Sequence, residues 1–256
     1  MSHNGSEDLP KRGVTPTSSE AALARAPGST EPSTCAATAR VIAIGDVHGC
    51  VHALDTLLEA IAPRSDDCIV QLGDFVDSGR DTRDVIDTLL ALQSNCRLVT
   101  LMGNHEEMLL GALENDRLRD VWLMCGGVDT LNSYRFGAGI DVLPDAHLAL
   151  IRSGLDSFET ATHAFLHANY DARLPFSRQP PYVLRWTPLD LPGPGPHCSG
   201  KSVVVGHTEQ QDGEILDLEY VRCIDTACHR NGWLTALEVT SGQVWQASRW
   251  GVLREP

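Results

Sequence analysis

Apolar stretches in the first half of the chain alternate with segments of helical periodicity. Residues 41–44, 68–72 and 97–101 are short runs dominated by aliphatic side chains. Each run is followed by a polar loop and then by apolar residues three and four positions apart, which is the spacing of one helix face. Strand, loop and helix therefore follow one another three times. This order predicts right-handed crossovers, a largely parallel sheet, and all three loops on one edge of it.

The second half of the chain has a different pattern. Residues 118–154 are predicted to form helices that are broken by glycines at residues 126–127 and 137–139. Further along, short apolar runs predict strands at residues 164–166, 203–205, 221–224, 233–237 and 243–245. Residues 188–200 are rich in proline and glycine, which predicts a long loop. Loops of that length in a compact fold usually form a rim or lid.

The domain organisation follows from length and composition. Residues 1–38 are rich in Ser, Thr, Pro, Gly and Ala and have no periodicity, which predicts a disordered tail. The remainder, residues 39–256, is long enough for one large α/β catalytic domain with a substantial core.

Net charge and cysteine content limit the binding partners and the cellular compartment that we expect for this protein. The chain has 20 basic and 34 acidic residues and a formal net charge of −14, which argues against binding to nucleic acid or an anionic membrane. An acidic protein can still bind phosphate where metals and a few arginines reverse the field locally. The 8 cysteines include no Cys-x-x-Cys pair, and no apolar run is long enough to span a membrane. The N-terminus also lacks the order of a secretion signal, so we expect a cytoplasmic protein.

Polar residues stand where several predicted strands end. Asp46 and His48 follow the first strand and would point the same way, because side chains two apart share one face of an extended segment. A carboxylate and an imidazole directed at one point suit a divalent transition metal. Open α/β sheets bind ligands at this carboxyl edge. The other polar residues at strand ends are Asp74, Asp77, Asn104, His105, His167 and His207.

Three short motifs carry a resemblance to a known family. Residues 45–49 read Gly-Asp-Val-His-Gly, residues 73–77 read Gly-Asp-Phe-Val-Asp, and residues 103–106 read Gly-Asn-His-Glu. With the later histidines, this order resembles the metallophosphoesterases and, more narrowly, the phosphoprotein phosphatase family of serine/threonine phosphatases. The resemblance extends over about residues 40–250. It implies an α/β fold with a central β-sandwich flanked by helices.

The resemblance also implies a pair of divalent metal ions. The implied ligands are Asp46 and His48 for one metal, Asp74 for both, and Asn104, His167 and His207 for the other. Mixed oxygen and nitrogen donors suit manganese, and also iron or zinc, better than calcium. Phosphate monoesters need accelerations of up to ~10²¹-fold. Paired metals meet that demand by binding the phosphate and lowering the pKa of the attacking water.

Further roles are implied by the same resemblance. His105 is similar to the family's general acid, which protonates the leaving alkoxide, and Asp77 would orient it; Asn104 would also contact the substrate. Where the family has Asp-Arg-Gly, residues 77–79 read Asp-Ser-Gly, so one phosphate-binding arginine is missing. Arg80 either replaces it or caps the next helix. Arg185 is the best candidate for a second phosphate-binding arginine, because a guanidinium binds phosphate through two parallel bonds.

The predicted helical segment carries a motif of its own. Residues 122–127 read Trp-Leu-Met-Cys-Gly-Gly and are followed by Thr130. This segment resembles a tryptophan-and-diglycine motif of bacterial family members and of diadenosine tetraphosphatases. The remaining histidines do not match the pattern and are expected to be structural: His52, His147, His163, His197 and His229.

Three functions are compatible with these observations. The first is metal-dependent hydrolysis of phosphomonoesters, above all phosphoserine or phosphothreonine in proteins. The second is symmetrical hydrolysis of diadenosine tetraphosphate or of another phosphoanhydride. The third is a metal- and phosphate-binding module whose catalysis weakened when the arginine was lost. Because every implied ligand and His105 are present, the sequence favours an enzyme that acts on a phosphorylated protein or a small phosphorylated molecule.

Overall fold

The computed structural model describes residues 39–134 and 143–255. The predicted tail at residues 1–38 and the predicted glycine break at residues 137–139 lie outside the described residues. The strands are β1 (Val41–Ile44), β2 (Cys68–Gln71), β3 (Arg97–Thr100), β4 (Ser157–Glu159), β5 (His163–Leu166), β6 (Ser202–Val205), β7 (Leu216–Asp217), β8 (Val221–Cys223), β9 (Asp225–Thr226), β10 (Trp233–Glu238) and β11 (Val244–Ser248).

The helices lie mainly in the first two thirds of the chain. They are α1 (Val51–Ile61), α2 (Thr82–Gln93), α3 (Asn104–Glu114), α4 (Asp116–Trp122), α5 (Val128–Tyr134), α6 (Asp145–Arg152) and α7 (Pro181–Trp186). A π-helical turn, Leu123–Gly127, joins α4 to α5, and a 3-10 turn occupies Phe176–Arg178. Each helix described here is too short or too polar to cross a lipid bilayer.

The first sheet has the strand order β11-β10-β1-β2-β3, with β9 paired to β10. Strands β1, β2 and β3 are parallel, and β10 runs antiparallel to β1. In the parallel register, Ile42 lies opposite Ile69, and Ile69 lies opposite Leu98. The repeated order of strand, loop and helix is thus confirmed, and the loops after β1, β2 and β3 leave from the same edge.

The second sheet has the order β4-β5-β6-β8-β7. Strands β5, β6 and β8 are parallel, and the outer strands β4 and β7 are antiparallel to their neighbours. The predicted strands of the second half are all present. Three short strands, β4, β7 and β9, were not predicted. A helix, α7, and the 3-10 turn also interrupt this half, and the loop predicted at residues 188–200 lies between α7 and β6.

The core explains why β1 is apolar at every position. Ile42 and Ile44 belong to a cluster between the first sheet and its helices, whereas Val41 and Ala43 belong to a cluster between the two sheets. A strand that is covered on both faces has no polar side, which is the pattern of buried parallel strands. The two sheets therefore form a sandwich flanked by helices, as the family resemblance implied.

Candidate active site

The loops after β1 and β2 are joined through their backbones. The amides of Val47 and His48 both donate to the carbonyl of Asp74, at 3.1 and 2.9 Å, and the amide of Gly49 donates to the carbonyl of Phe75 at 3.3 Å. Because both loops leave parallel neighbouring strands, these short bonds hold His48 beside Asp74.

Glu106, in the first turn of α3, joins the third loop to the second. Its carboxylate accepts hydrogen bonds from the amides of Asp74 at 2.7 Å, Phe75 at 2.9 Å and Gly103 at 3.0 Å. Burial raises the pKa of Glu106 to about 7, and the charge of Asp74 adds to this effect. The sequence motif contained Glu106, but sequence reasoning gave it no role. Its role is to fix the loop that presents Asp74.

Asp74 lies at the centre of the polar cluster. Its Oδ2 is 3.7 Å from Nε2 of His48 and 3.4 Å from Nε2 of His167. Its Oδ1 accepts a hydrogen bond from the amide of His105 at 3.0 Å. Gly103 allows this approach, because a Cβ atom at that position would overlap Oδ1 of Asp74.

Two groups of possible metal ligands share Asp74. One group contains His48, Asp74 and His105, and the other contains Asp74, His167 and His207; within each group the donor atoms lie within 4.8 Å of one another. The carboxylate predicted to bridge two metals is therefore the one common to both groups.

Hydrogen bonds on the outer side of three imidazoles orient them for metal binding. Nδ1 of His48 donates to the carbonyl of Val76 at 2.9 Å, and Nδ1 of His167 donates to the carbonyl of Leu72 at 2.8 Å. Nε2 of His207 donates to the carbonyl of Trp186 at 3.2 Å. In His48 and His207 the second nitrogen is left as a lone-pair donor, which is the usual arrangement around a protein metal. Nε2 of His167 instead faces two oxygens, Oδ2 of Asp74 at 3.4 Å and Oδ1 of Asn104 at 3.0 Å.

Burial also keeps two of these rings neutral. Burial lowers the pKa of His48 to about 4 and that of His207 to about 4. A neutral imidazole is the form that binds a metal, so neither ring has to release a proton at neutral pH.

Asp46 lies next to these groups, although it belongs to neither group of three. Its Oδ2 accepts a hydrogen bond from the amide of His207 at 3.0 Å. Its Oδ1 is buried and has no hydrogen-bond partner among the described residues. Burial raises the pKa of Asp46 well above its usual value, and the charges of Asp225 and Asp74 raise it further. A buried, unpartnered carboxylate oxygen is costly, and a divalent cation would satisfy it, so the donor set fits the predicted metals.

Asn104 and the local backbone complete this part of the site. Oδ1 of Asn104 is 3.0 Å from Nε2 of His167, so the two predicted ligands of the second metal face each other. Several non-glycine residues here have positive φ: His48 (43°), Asp74 (53°), Asp77 (67°), Ser78 (64°) and His207 (64°). Such strained conformations persist where surrounding contacts impose them, and they cluster at functional sites.

His105 and Asp77 form the predicted pair. Nδ1 of His105 is 2.9 Å from Oδ2 of Asp77, and the His105 ring lies edge-on to that of His48 with centroids 4.7 Å apart. Burial lowers the pKa of His105, but the carboxylates of Asp74 and Asp77 outweigh burial and raise it to about 9. His105 is therefore protonated at neutral pH and carries a proton that it can donate.

The two predicted phosphate-binding arginines lie outside this cluster. Arg185, on α7, donates from Nε to Oδ1 of Asp156 at 3.1 Å, and its Nη1 is 3.1 Å from Oε1 of Glu107. Its neighbour Trp186 contacts His207, so Arg185 lies at the rim of the site, held by two carboxylates. Arg80 is exposed between β2 and α2, and among the described residues its guanidinium makes no bond to a predicted ligand. Both phosphate-binding roles stay predictions.

One histidine outside the motifs lies closer to the site than expected. The ring of His229 is 4.6 Å from that of His48, and its Nε2 is 3.6 Å from Oε1 of Glu209. His229 lies in a turn after β9, and no motif or periodicity in the sequence indicated this contact. His147 and His197 make packing contacts instead, with Tyr134 and Phe176 respectively.

Parts of the chain are similar to curated bacterial enzymes. A segment of 122 residues is 34% identical to the symmetrical bis(5'-nucleosyl)-tetraphosphatase of Erwinia tasmaniensis and covers 44% of this chain and 43% of that protein. A segment of 94 residues is 35% identical to the enzyme of the same name from Legionella pneumophila (strain Lens) and covers 33% of each chain. The matched segments thus span less than half the length of these relatives.

Solved structures share the fold at lower identity. A putative diadenosine tetraphosphatase superposes with a TM-score of 0.64 at 21% identity, over 85% of this chain and 96% of that chain. A cold-active protein-tyrosine phosphatase from a Shewanella species gives 0.56 at 18% identity, over 84% and 80%. A serine/threonine phosphatase from Saccharomyces cerevisiae gives 0.52 at 14%, over 85% and 81%. The calcineurin-like phosphoesterase model matches residues 39–215, and the chain belongs to that family.

Proposed function

We propose that this protein is a hydrolase that cleaves phosphate esters or anhydrides with the help of two divalent metal ions. The observation that carries the proposal is the pair of ligand groups that share Asp74. The unpartnered Oδ1 of Asp46 and the neutral rings of His48 and His207 support it. Manganese is the proposed metal, with iron and zinc as alternatives, because the donor set mixes carboxylate oxygen with imidazole nitrogen.

Each of the predicted site residues has its own role in the proposed reaction. Asp46 and His48 would hold one ion, Asp74 both, and Asn104, His167 and His207 the other. When bound, the ions would supply positive charge to the phosphoryl oxygens and lower the pKa of the attacking water. Water attacks phosphorus, the bond from phosphorus to the leaving oxygen breaks, and that oxygen takes the proton held by His105. Asp77 keeps the imidazole of His105 in place throughout.

The proposed substrate is a dinucleoside tetraphosphate, cleaved to two nucleoside diphosphates. The curated relatives that match 33% to 44% of the chain carry the name of that activity. The motif at residues 122–127 points in the same direction, since it resembles a segment of diadenosine tetraphosphatases. Sequence reasoning placed phosphoserine and phosphothreonine first, and the relatives favour its second choice.

A phosphomonoester remains the second candidate because of one observation in the site. The pair of His105 and Asp77 is arranged to give a proton to the leaving oxygen. An alkoxide leaving group, as in phosphoserine, needs that proton more than a nucleoside diphosphate does, because an alkoxide is far more basic. The acid pair therefore suits a protein substrate as well as a dinucleotide.

The experiment compares three substrates under identical metal loading. The protein is stripped with a chelator, reloaded with Mn²⁺, and assayed on diadenosine tetraphosphate, a phosphoserine peptide and p-nitrophenyl phosphate. We expect ADP as the only nucleotide product and a higher kcat/KM for the dinucleotide. A higher kcat/KM for the peptide would select the second candidate. Absence of turnover on all three, with Mn²⁺ bound, would overturn the proposal in favour of a binding module.

A further inference from the structure

The carboxylate of Asp77 is held by two residues from the helical segment as well as by His105. Nε1 of Trp122 donates to both oxygens of Asp77, at 3.0 Å to Oδ1 and 2.9 Å to Oδ2. Oγ1 of Thr130 donates to Oδ1 at 2.7 Å and accepts a hydrogen bond from the Asp77 amide at 2.9 Å. Asp77, Trp122 and Thr130 are all fully buried. Both oxygens of a buried carboxylate are thus fixed from more than one side.

The turn between α4 and α5 makes this double contact possible. Trp122 and Thr130 are eight residues apart, so a continuous helix would separate them by about 12 Å along its axis. Instead, Cys125 (φ −97°, ψ 17°) and Gly126 (φ 109°, ψ −4°) leave the helical conformation and turn the chain. Gly127 then lies against the indole of Trp122, where a Cβ atom would overlap the ring. The two glycines thus let the tryptophan and the threonine meet at one carboxylate.

A second contact fixes Thr130 itself. Oγ1 of Thr82, at the start of α2, is 3.3 Å from Oγ1 of Thr130. Since Thr130 already gives its hydroxyl proton to Asp77, Thr82 is the donor in this pair. Ser78 is joined to the same turn, because its amide donates to the carbonyl of Gly126 at 3.4 Å. Residues 122–130 therefore hold the loop that carries Asp77 through several neighbouring hydrogen bonds.

We propose that Trp122 and Thr130 are positioning residues for the proton donor of the reaction. They hold Asp77 so that its Oδ2 binds Nδ1 of His105, which directs the other nitrogen of that ring at the leaving oxygen. As the bond from phosphorus to the leaving oxygen breaks, that oxygen takes the proton and the imidazole becomes neutral. This inference rests on the proposed function. It adds that the segment after α3 serves catalysis through Asp77 without touching the substrate.

The test uses the acidity of the leaving group as its readout. Thr130→Val and Trp122→Phe are assayed in the full-length, Mn²⁺-loaded protein on aryl phosphates from p-nitrophenyl to phenyl phosphate. A poorer leaving group depends more on the donated proton. We expect kcat to fall roughly 10–100-fold on phenyl phosphate, the range seen when a supporting hydrogen-bond partner is removed. On p-nitrophenyl phosphate the loss should stay below about threefold, with KM and metal content unchanged.

Two further variants separate positioning from simple packing. Thr130→Ser keeps the hydroxyl and should restore the wild-type dependence on the leaving group. Thr235→Val is the matched control, because it removes a buried hydroxyl that bonds to Thr226 at 2.6 Å and to Gln246 at 2.8 Å in the first sheet. It should leave the leaving-group dependence unchanged. Trp122→Phe keeps an aromatic ring against Gly127, so it provides a second measurement should the valine variant fold poorly.

The outcomes distinguish this inference from the function on which it rests. An equal loss of kcat on every ester in Thr130→Val and Trp122→Phe would overturn the positioning role and leave the proposed function intact. The same conclusion would follow if kcat of Thr235→Val depended on the leaving group as strongly as kcat of Thr130→Val. A wild-type protein that binds Mn²⁺ and hydrolyses the dinucleotide but no aryl ester would overturn this inference alone. A wild-type protein that binds Mn²⁺ but hydrolyses neither would overturn the proposed function, and this inference with it.

Discussion

Asp74 and Asp77 lie three residues apart in one loop, yet their surroundings differ. Asp74 belongs to the metal pocket, by which we mean Asp46, His48, Asp74, Asn104, His167 and His207. Asp77 belongs to the acid pocket, which consists of Asp77, His105, Trp122 and Thr130. In the metal pocket a buried carboxylate oxygen of Asp46 has no partner among the described residues. In the acid pocket both carboxylate oxygens are hydrogen bonded by protein groups.

The difference shows what each pocket needs. Burial raises the pKa of Asp46, and the neighbouring carboxyls of Asp225, Asp74 and Glu106 raise it further. Such a group of carboxylates is unfavourable unless cations are bound. The acid pocket requires nothing further, because indole, hydroxyl and imidazole donors already satisfy the charge of Asp77. The metal pocket would be completed by ions, whereas the acid pocket is completed by folding.

The largest effect on kcat is expected when one carboxylate in each pocket is replaced by the corresponding amide. Asp74→Asn should lower kcat on the order of 10³-fold and release metal, because it removes the shared ligand. Asp77→Asn should retain the full metal content and lower kcat by roughly 10²-fold, mainly on poor leaving groups. Metal analysis and rates on two aryl phosphates measure both effects. Loss of metal from Asp77→Asn would show that the two pockets are not separate. Full activity in Asp74→Asn would contradict the role of Asp74 as the shared ligand.

The sequence indicated which side chains of the metal pocket lie near one another better than it indicated the contacts of Asp77 in the acid pocket. The residues after β1, β2 and β3 could be placed because parallel strands bring their carboxyl ends to one edge. Asp77 and His105 were paired only through the family resemblance. The contacts of Trp122 and Thr130 could not be predicted, because they depend on non-helical angles at Cys125 and Gly126 within a helical segment.

Other contacts were missed for the same physical reason. His229 reaches His48 from a turn, and Arg185, although predicted to bind phosphate, stands on the short helix α7 between two carboxylates that the sequence did not pair with it. Turns and short helices have no periodicity that reports what they pack against. Only tertiary packing decides those contacts.

The next effect concerns stability and distinguishes the pockets without any assay of activity. Free Mn²⁺ at about 100 times its Kd should stabilise the native protein by about 2.7 kcal/mol for each ion bound, and a chelator should remove that gain. Metal-free Asp46→Asn should be at least as stable as the metal-free wild type, because it removes a buried carboxyl group whose Oδ1 has no partner among the described residues. Thr130→Val should be destabilised by about 1–3 kcal/mol with or without metal.

Thermal and denaturant unfolding with and without Mn²⁺ provide these values. If chelation left the melting temperature of the wild type unchanged, the metal pocket, like the acid pocket, would need no ion for its stability. A metal-dependent loss in Thr130→Val would show that the two pockets are coupled.

The smallest effect is expected at the rim, outside both pockets. Arg185→Ala should raise KM for a phosphate ester roughly tenfold, since a charge-assisted hydrogen bond contributes about 1.5–3 kcal/mol and part of it is spent on Asp156 and Glu107. Metal content and the dependence on the leaving group should not change. Arg185→Lys should recover only part of the affinity, because an ammonium group cannot form two parallel bonds to phosphate.

Arg80→Ala tests the other predicted arginine in the same assay. If KM rises for Arg80→Ala alone, then Arg80 provides the contact missing at Ser78, and Arg185 serves only to hold α7 against Asp156 and Glu107.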